Sequence, residues 1–195
     1  MVLRLQVTDN GVLSTIDVLA HDTISQHIEA AFDPQSLAPS KVYEKRPNWE
    51  ARLMCSGNRL RGSIVRTKPI GNADTIRVDR PITLAALDRR ELFHVTRWLP
   101  LAADHVFALR IYDVDALGTY SVRIKTGGRS RIVVPLGTFD AYRVEVTPGE
   151  RGMVCPFPTL FPAIVYISSD SLRLVLRVER PEQGQTFELI GWGIP

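Results

Sequence analysis

The stretch SKVYEKRPNWEARLMCSGNRLRGSIVRT, residues 40–67, decides the fold of this chain. Apolar and polar residues alternate along it, and the alternation is interrupted by two turn signals, Pro47-Asn48 and Gly57-Asn58. A period of two is typical of a strand with one buried face, and turn residues between two such runs indicate a hairpin. The stretch therefore predicts three antiparallel strands, over residues 40–46, 49–56 and 59–67.

The same pattern continues in both directions from this stretch. Asp9-Asn10-Gly11 follows an alternating run at the N-terminus and predicts a tight turn. Gly127-Gly128 separates two further runs and predicts another hairpin turn between strands. The whole chain gives about eleven or twelve strands. Because the connections are short, neighbouring strands are expected to be antiparallel.

One segment, residues 83–98, departs from the period of two. It contains neither Gly nor Pro, and one stripe at helical spacing holds Leu84, Leu87, Glu91 and Val95, with Leu92 and Trp98 beside it. Pro100 ends the pattern, because a residue before proline is disfavoured in a helix. The sequence predicts one helix over about residues 83–98.

These elements predict a mainly β protein. A single sheet with this many strands has to curl in order to bury its apolar face. The expected fold is a strongly curved antiparallel half-barrel or open barrel with the helix packed on or in it, and the alternative is a two-sheet β-sandwich. The length, 195 residues, and the lack of an evident boundary predict a single β-rich domain over residues 1–195.

Composition excludes several classes of protein. The chain is 45% apolar and 23% charged, which is typical of a globular protein and not of a disordered one. The sequence has no apolar run of the length that a membrane-spanning helix needs, about 20 residues. The net charge of +3 is too small to predict nucleic-acid binding.

The positive charge is concentrated in residues 41–68. This segment has eight basic residues against Glu44 and Glu50. Such a stretch fits an anionic partner, for example a lipid head group, a phosphate or a carboxylated ligand. It equally fits the solvated face of two strands, since Arg59 and Arg61 alternate with Leu60.

Targeting and redox signals are few. The N-terminus lacks the apolar core and cleavage site of a signal peptide, so the chain reads as cytoplasmic, or else as the mature form of an exported protein. Cys55 and Cys155 lie far apart in sequence. We expect two free thiols, with a bridge as the alternative in an oxidising compartment.

Catalytic, metal and cofactor motifs are not found in the sequence. The four histidines match no metal-ligand spacing, and Gly127-Gly128 does not precede a helix as a phosphate-binding loop would. We therefore predict no metal and no cofactor. His94 beside Glu91 or Asp104 is a candidate general base, with a solvated helix surface as the alternative, and enzymatic activity is left open.

Aromatic residues suggest a cavity. They occur on several predicted strands, on the helix and in a proline-rich loop, where they would line an apolar groove or form its lid. The candidate ligand-binding residues are Trp49, Phe93, Trp98, Tyr112, Tyr120, Tyr142, Phe157 and Phe161. The alternative is ordinary core packing.

Three stretches are similar to motifs of one bacterial family. FDPQSLAP at 32–39 resembles that family's D-x-x-T-L-x-P segment. RWLPL at 97–101 and PLGTF at 135–139 resemble its R-x-L-P-L helix end and its P-x-G-T-F segment. The family is β-rich, usually exported and of unknown function. The resemblance covers about residues 25–180 and implies a curved antiparallel sheet shaped like periplasmic lipoprotein carriers. It implies no activity.

Three functions remain open at this point. The first is non-catalytic binding of an apolar or lipid-like ligand in the concave face of the curved sheet. The second is a small-barrel enzyme of the cyclase or isomerase type that uses the same cavity, with His94, Asp104 or Tyr142 as its titratable group. The third is a structural or interaction module with a filled core.

Overall fold

A computed structural model describes most of the chain. The described residues are 2–8, 11–20, 23–33, 39–68, 71–81, 86–88, 92–101, 104–113, 118–149 and 162–191. They are mainly β, as predicted, and their strands form two open antiparallel sheets of seven strands each. By their contacts, the residues divide into two compact units, Met1–Glu91 and Leu92–Pro195.

The first sheet contains the stretch that opened the sequence analysis. Its strands lie side by side in chain order, so that every connection joins antiparallel neighbours. The strands are β1 Val2–Thr8, β2 Gly11–Ala20, β3 Thr23–Phe32, β4 Pro39–Arg46, β5 Trp49–Ser56, β6 Arg59–Thr67 and β7 Ala73–Pro81. The predictions for β4, β5 and β6 are therefore confirmed, to within one residue.

The second sheet also follows chain order, from β8 at one edge to β14 at the other. Its strands are β8 Ala86–Asp88, β9 Val106–Asp113, β10 Gly118–Val134, β11 Gly137–Pro148, β12 Ala163–Ser168, β13 Val175–Arg180 and β14 Gln185–Glu188. One short helix, α1, spans Leu92–Thr96.

Alternation along the strands gives the first sheet a buried face and an outer face. Val42, Leu53, Leu60 and Ile64 are at most 2% exposed. The residues between them point the other way and carry most of the charges of this sheet. Leu60 is buried between exposed Arg59 and Arg61, which confirms the predicted alternation along this strand.

The second sheet buries one larger apolar cluster. Side chains from β9 to β13 pack together with Leu92 of α1 and Leu101. The strand members of this cluster are Ile111, Val122, Ile124, Val144, Val146, Ala163, Val165, Ile167 and Val178. Leu92 and Val95 are both buried, so the short helix α1 does bury apolar side chains of the predicted helical segment.

The predicted helix over residues 83–98 is not confirmed as a whole, because only five of its ten described residues are helical. Ala86–Asp88 is an edge strand of the second sheet, and helical structure is confined to Leu92–Thr96. Pairing with a neighbouring strand can override local helix propensity, which is worth only about 0.7 kcal/mol or less for an ordinary residue. The helix ends before Pro100, as predicted.

The prediction of a hairpin turn at Gly127-Gly128 is also wrong. Both glycines lie inside β10, where the register with β11 shifts between Thr126 and Arg129. This shift is a β-bulge, and glycine is common at bulges because it tolerates the unusual backbone. A Cβ on Gly127 would lie 3.1 Å from the carbonyl oxygen of Arg143 on β11. The two predicted strands on either side of the glycines are therefore one strand.

The presence of two sheets agrees in number with the sandwich alternative and not with one continuous sheet. The strong curvature of a half-barrel stays a prediction.

Candidate functional site

The outer face of the first sheet contains a groove with a volume of about 640 Å³. This outer-face groove crosses β3, β4, β5 and β6, and all of its lining residues except Glu29 lie in the basic segment 41–68. Its lining residues are Glu29, Lys41, Val42, Tyr43, Arg52, Leu53, Met54, Ser56, Arg61 and Gly62. The size falls within the range of small-molecule sites, about 300–1,000 Å³.

Strand register brings the side chains of the groove into two rows. Lys41 pairs with Met54, and Met54 pairs with Arg61, so these three residues lie side by side on three adjacent strands. Glu29 pairs with Tyr43, and Tyr43 with Arg52, in the second row. Directly opposed Cβ atoms in an antiparallel pair lie about 4.5–5.5 Å apart. Each row is therefore a continuous band of side chains.

Met54 is the apolar centre of the groove. It is 66% exposed, although its neighbours on β5, Leu53 and Ala51, are fully or almost fully buried. A thioether side chain adapts to irregular apolar surfaces and is common at binding surfaces. The position of Met54 between two cations gives the groove an apolar floor with charged sides.

The three cations of the groove differ in their partners. Arg52 donates from Nε to Glu50 Oε1 at 2.6 Å, and its guanidinium carbon lies 5.3 Å from the centroid of the Tyr43 ring. The hydrogen bond to Glu50 raises the pKa of Arg52. Arg61 contacts Asp79 through Nε at 3.4 Å. Among the described residues, Lys41 belongs to none of the ion pairs.

Asp79 is held mainly by a different arginine. Arg59 Nη2 lies 2.7 Å from Asp79 Oδ1, and the hydrogen bonds from Arg59 keep the pKa of Asp79 below its usual value. Arg61 lowers the pKa of Asp79 as well, through its longer contact of 3.4 Å, but less than the hydrogen bonds from Arg59 do. The side chain of Arg61 is exposed and lines the groove.

Gly62 lines the groove, and its backbone conformation requires glycine. Its φ is 151°, which side chains rarely adopt. A Cβ at this position would lie 2.0 Å from the carbonyl oxygen of Arg52, within the backbone of the neighbouring strand. The close approach of β5 and β6 at this point therefore depends on Gly62.

A histidine with two carboxylate partners adjoins the groove. His27 Nδ1 lies 2.6 Å from Asp17 Oδ1, and Nε2 lies 3.2 Å from Glu29 Oε1. The hydrogen bond with Asp17 is the main cause that raises the pKa of His27 above its ordinary value. Since both ring nitrogens are engaged by carboxylates, the arrangement fits a charged imidazolium that pairs with Glu29 better than a general base.

A second pocket, of about 620 Å³, lies beside α1 in the second unit. Trp98, 58% exposed, and Leu172 supply apolar surface to it. Arg97 donates to the carbonyl oxygens of Leu172 and Arg173, and Arg173 donates to those of Arg97 and Leu99. Burial lowers the pKa of Arg97. The two arginines are structural ties between the end of α1 and the β12–β13 connection.

Five of the eight predicted aromatic residues have described side chains, and they belong to both compact units. Trp49 lies on β5 under the guanidinium of Arg46, at 4.5 Å, in the first sheet. Trp98 lines the second pocket. Tyr120 and Tyr142 pack against the core of the second sheet, and Tyr112 is buried on β9.

Several of the other predicted positions are not described by the structure. Phe157, Phe161, Glu91 and Cys155, and the side chains of Phe93 and His94, lie outside the described residues. Asp104 is exposed in a left-handed turn with a φ of 63° before β9. His105 beside it packs edge-on against Phe107. Cys55 is half-buried on β5. The prediction of two free thiols stays a prediction.

Sequence reasoning missed Asp17, His27, Met54 and Gly62. One signal was available, since His27 and Glu29 are two apart on a predicted strand and therefore share a face. The pairing of Asp17 with His27 depends on the β2–β3 register, which contains a bulge between Val18 and Leu19 and is not readable from composition. The sequence analysis offered the basic segment as a surface for an anionic partner and predicted no groove there, although most of the lining residues of the groove lie in this segment.

Metal-binding clusters and membrane-spanning helices are both absent from the part of the chain that the structure describes. Within the described ranges, no group of three or more His, Cys, Asp or Glu residues could hold a metal ion. In the same part of the chain, no helix is long and apolar enough to cross a membrane.

Comparison with known proteins gives one match. No curated protein and no solved structure matches the chain. The sequence does match a family described as "Protein of unknown function (DUF3108)" over residues 3–189. This agrees with the resemblance to a β-rich family of unknown function, while export and the carrier-like shape stay predictions. Because the match extends over nearly the whole chain, the protein belongs to the DUF3108 family.

Proposed function

We propose that the protein binds an apolar or lipid-like ligand in the outer-face groove, without catalysis. The observation that carries this proposal is the exposure of Met54, 66%, at the centre of a cavity of about 640 Å³. Large exposed apolar side chains in a concave surface are typical of binding sites. A bound apolar chain would remove Met54 from water.

The lining of the groove supports an elongated ligand. Tyr43 and Met54 lie on adjacent strands of the same face, with the backbone of Gly62 exposed beside them. Each methylene group of a ligand that is buried there contributes about 0.8 kcal/mol. We propose further that the first sheet is curved around this ligand, in keeping with the half-barrel prediction, and that Trp98 and its pocket form a separate contact surface.

The test is a titration with Nile red, an uncharged dye whose fluorescence rises in apolar surroundings. The wild-type chain is expected to bind the dye, and Met54→Glu to weaken binding at least about tenfold, because a buried carboxylate loses its hydration. Met54→Leu should bind as the wild type does. Val133→Glu is the matched control, since Val133 is 65% exposed on the second sheet, outside the groove.

Two results would overturn the proposal. One is the lack of saturable dye binding by the wild-type chain. The other is equal loss of binding in Met54→Glu and Val133→Glu, which would indicate non-specific binding to exposed apolar surface.

A further inference from the structure

We infer that the ligand of the outer-face groove is a single-chain amphiphile with a carboxylate head, held by Lys41 and Arg61 on either side of Met54. This inference rests on the proposed function, because it names the chemistry of the molecule that the groove would bind.

The register of the strands places the two cations on either side of Met54. Lys41, Met54 and Arg61 lie directly opposite one another on β4, β5 and β6. Adjacent strands are about 4.8 Å apart, so the backbones of the two cations are about 10 Å apart. Their long side chains can bend toward each other over Met54. An anionic group above Met54 would then contact both cations, while an attached chain continues along the groove.

Both cations have hydrogen-bond donors that can reach a ligand. Lys41 takes part in none of the ion pairs that the structure shows among its described residues, and Arg61, whose side chain is 61% exposed, contacts Asp79 only at the longer distance of 3.4 Å. Asp79 itself is bound more closely by Arg59, at 2.7 Å. The ammonium of Lys41 and the terminal nitrogens of Arg61 can therefore donate hydrogen bonds to a ligand. A carboxylate fits the planar fork of an arginine with two parallel hydrogen bonds.

The one carboxylate of the groove does not cancel this charge. Glu29 Oε1 lies 3.2 Å from His27 Nε2, on the side away from β6. Arg52 is also engaged, since it donates to Glu50 and stacks on Tyr43. The positive charge that remains for a ligand is thus that of Lys41 and Arg61.

Cavity size limits the rest of the ligand. A volume of about 640 Å³ suits a drug-sized molecule. This is appropriate for one acyl chain with a small head and not for a two-chain lipid. The exposed thioether of Met54 supplies apolar contact close to the charges, which a small inorganic anion would not use.

The inference is tested by displacement of Nile red with three probes: dodecanoate, 1-dodecanol and acetate. Dodecanoate is expected to bind about tenfold more tightly than dodecanol, because two exposed charge contacts add roughly 1 kcal/mol or slightly more. The double variant Lys41→Gln/Arg61→Gln should lose this preference and keep its affinity for dodecanol. The control Lys45→Gln/Arg66→Gln changes exposed cations of the same two strands outside the groove and should keep the preference.

A second measurement serves if the double variant does not fold. The preference of the wild-type chain for dodecanoate should shrink as salt is added, since screening weakens exposed charge contacts. A preference that is independent of salt would overturn the inference.

The outcomes separate the inference from the proposed function. Equal affinity for dodecanoate and dodecanol, with both lost in Met54→Glu, would overturn the carboxylate head and leave the apolar site in place. Acetate as strong a competitor as dodecanoate would indicate an anion site without a chain. Failure of all three probes and of the dye would overturn both.

Discussion

His27 makes the protein sensitive to pH at the scale of a single residue. Its ring is held by Asp17 of β2 and Glu29 of its own strand, Lys45 of β4 pairs with it in register, and the Tyr43 ring lies edge-on at 6.0 Å. The hydrogen bond with Asp17 and the contact with Glu29 outweigh the effect of burial, so the pKa of His27 is raised. The folded protein therefore binds the proton more tightly than the unfolded chain does.

The first prediction follows from this sign. The stabilisation is fully present below the unfolded pKa of histidine, about 6.5, and is lost as the pH rises through the higher folded pKa. The free energy of unfolding, measured with urea at a series of pH values, should decrease across that window. His27→Gln should flatten the decrease, and His105→Gln on the second sheet should not. An unchanged slope in His27→Gln would contradict this account.

Gly62 sets a second prediction at this scale. Gly62→Ala would force a Cβ against the carbonyl of Arg52 in a backbone conformation that alanine rarely adopts. We expect a loss of about 2 kcal/mol or more in the free energy of unfolding. Gly57→Ala is the control, because Gly57 also has a positive φ, 56°, but open space around its Cβ position. Equal losses in the two variants would show that the close approach of β5 and β6 is unimportant.

The same residues show what the sequence can predict about a site. The alternation of exposed Arg59 and Arg61 with buried Leu60 was readable from the sequence, because it depends only on the two-residue period of a strand. The juxtaposition of Asp17 with His27, and of Lys41 with Met54 and Arg61, was not, because it depends on the register between strands. Register follows from side-chain packing and bulges across the sheet.

Among the secondary-structure elements, glycine-containing turn signals predicted some connections between strands correctly and others wrongly. Gly57-Asn58 joins β5 to β6 as predicted. Gly127-Gly128 has the same local signature, but β9 and β11 both pair with β10 on the near side of it, and β11 also pairs beyond it. Partners on both sides keep the strand continuous, so the glycines form a bulge.

The end of α1 gives the third prediction. Arg97 and Arg173 exchange four hydrogen bonds with each other's backbone segments. Arg97→Gln should lower the free energy of unfolding by about 1–2 kcal/mol, since the carbonyls of Leu172 and Arg173 lose a charged donor. The loss in Arg97→Gln/Arg173→Gln should be smaller than the sum of the single losses, because the two residues belong to one network.

A matched control distinguishes this network from ordinary surface charge. Arg131 is exposed and lies 3.4 Å from Asp140. Arg131→Gln should change the free energy of unfolding by less than about 0.5 kcal/mol. Urea titrations of the four variants give the comparison, and additive losses for Arg97 and Arg173 would argue against a shared network.

At the scale of the whole molecule, the prediction of one domain rests on chain length and on the lack of a linker in the sequence. The first compact unit contains all seven strands of the first sheet. The second contains β9 to β14, which are six of the seven strands of the second sheet. If the chain is a single domain, calorimetry should give one thermal transition with equal calorimetric and van't Hoff enthalpies. Two separate transitions would indicate that each unit is a domain by itself.

The groove around Met54 is proposed to bind a lipid-like molecule. Native mass spectrometry of the protein as purified tests this proposal without any added probe. The wild-type chain and Val133→Glu are expected to carry an added mass that organic solvent extracts, while Met54→Glu carries none. An unliganded wild-type chain that also takes up no added dodecanoate or dodecanol would contradict the claim.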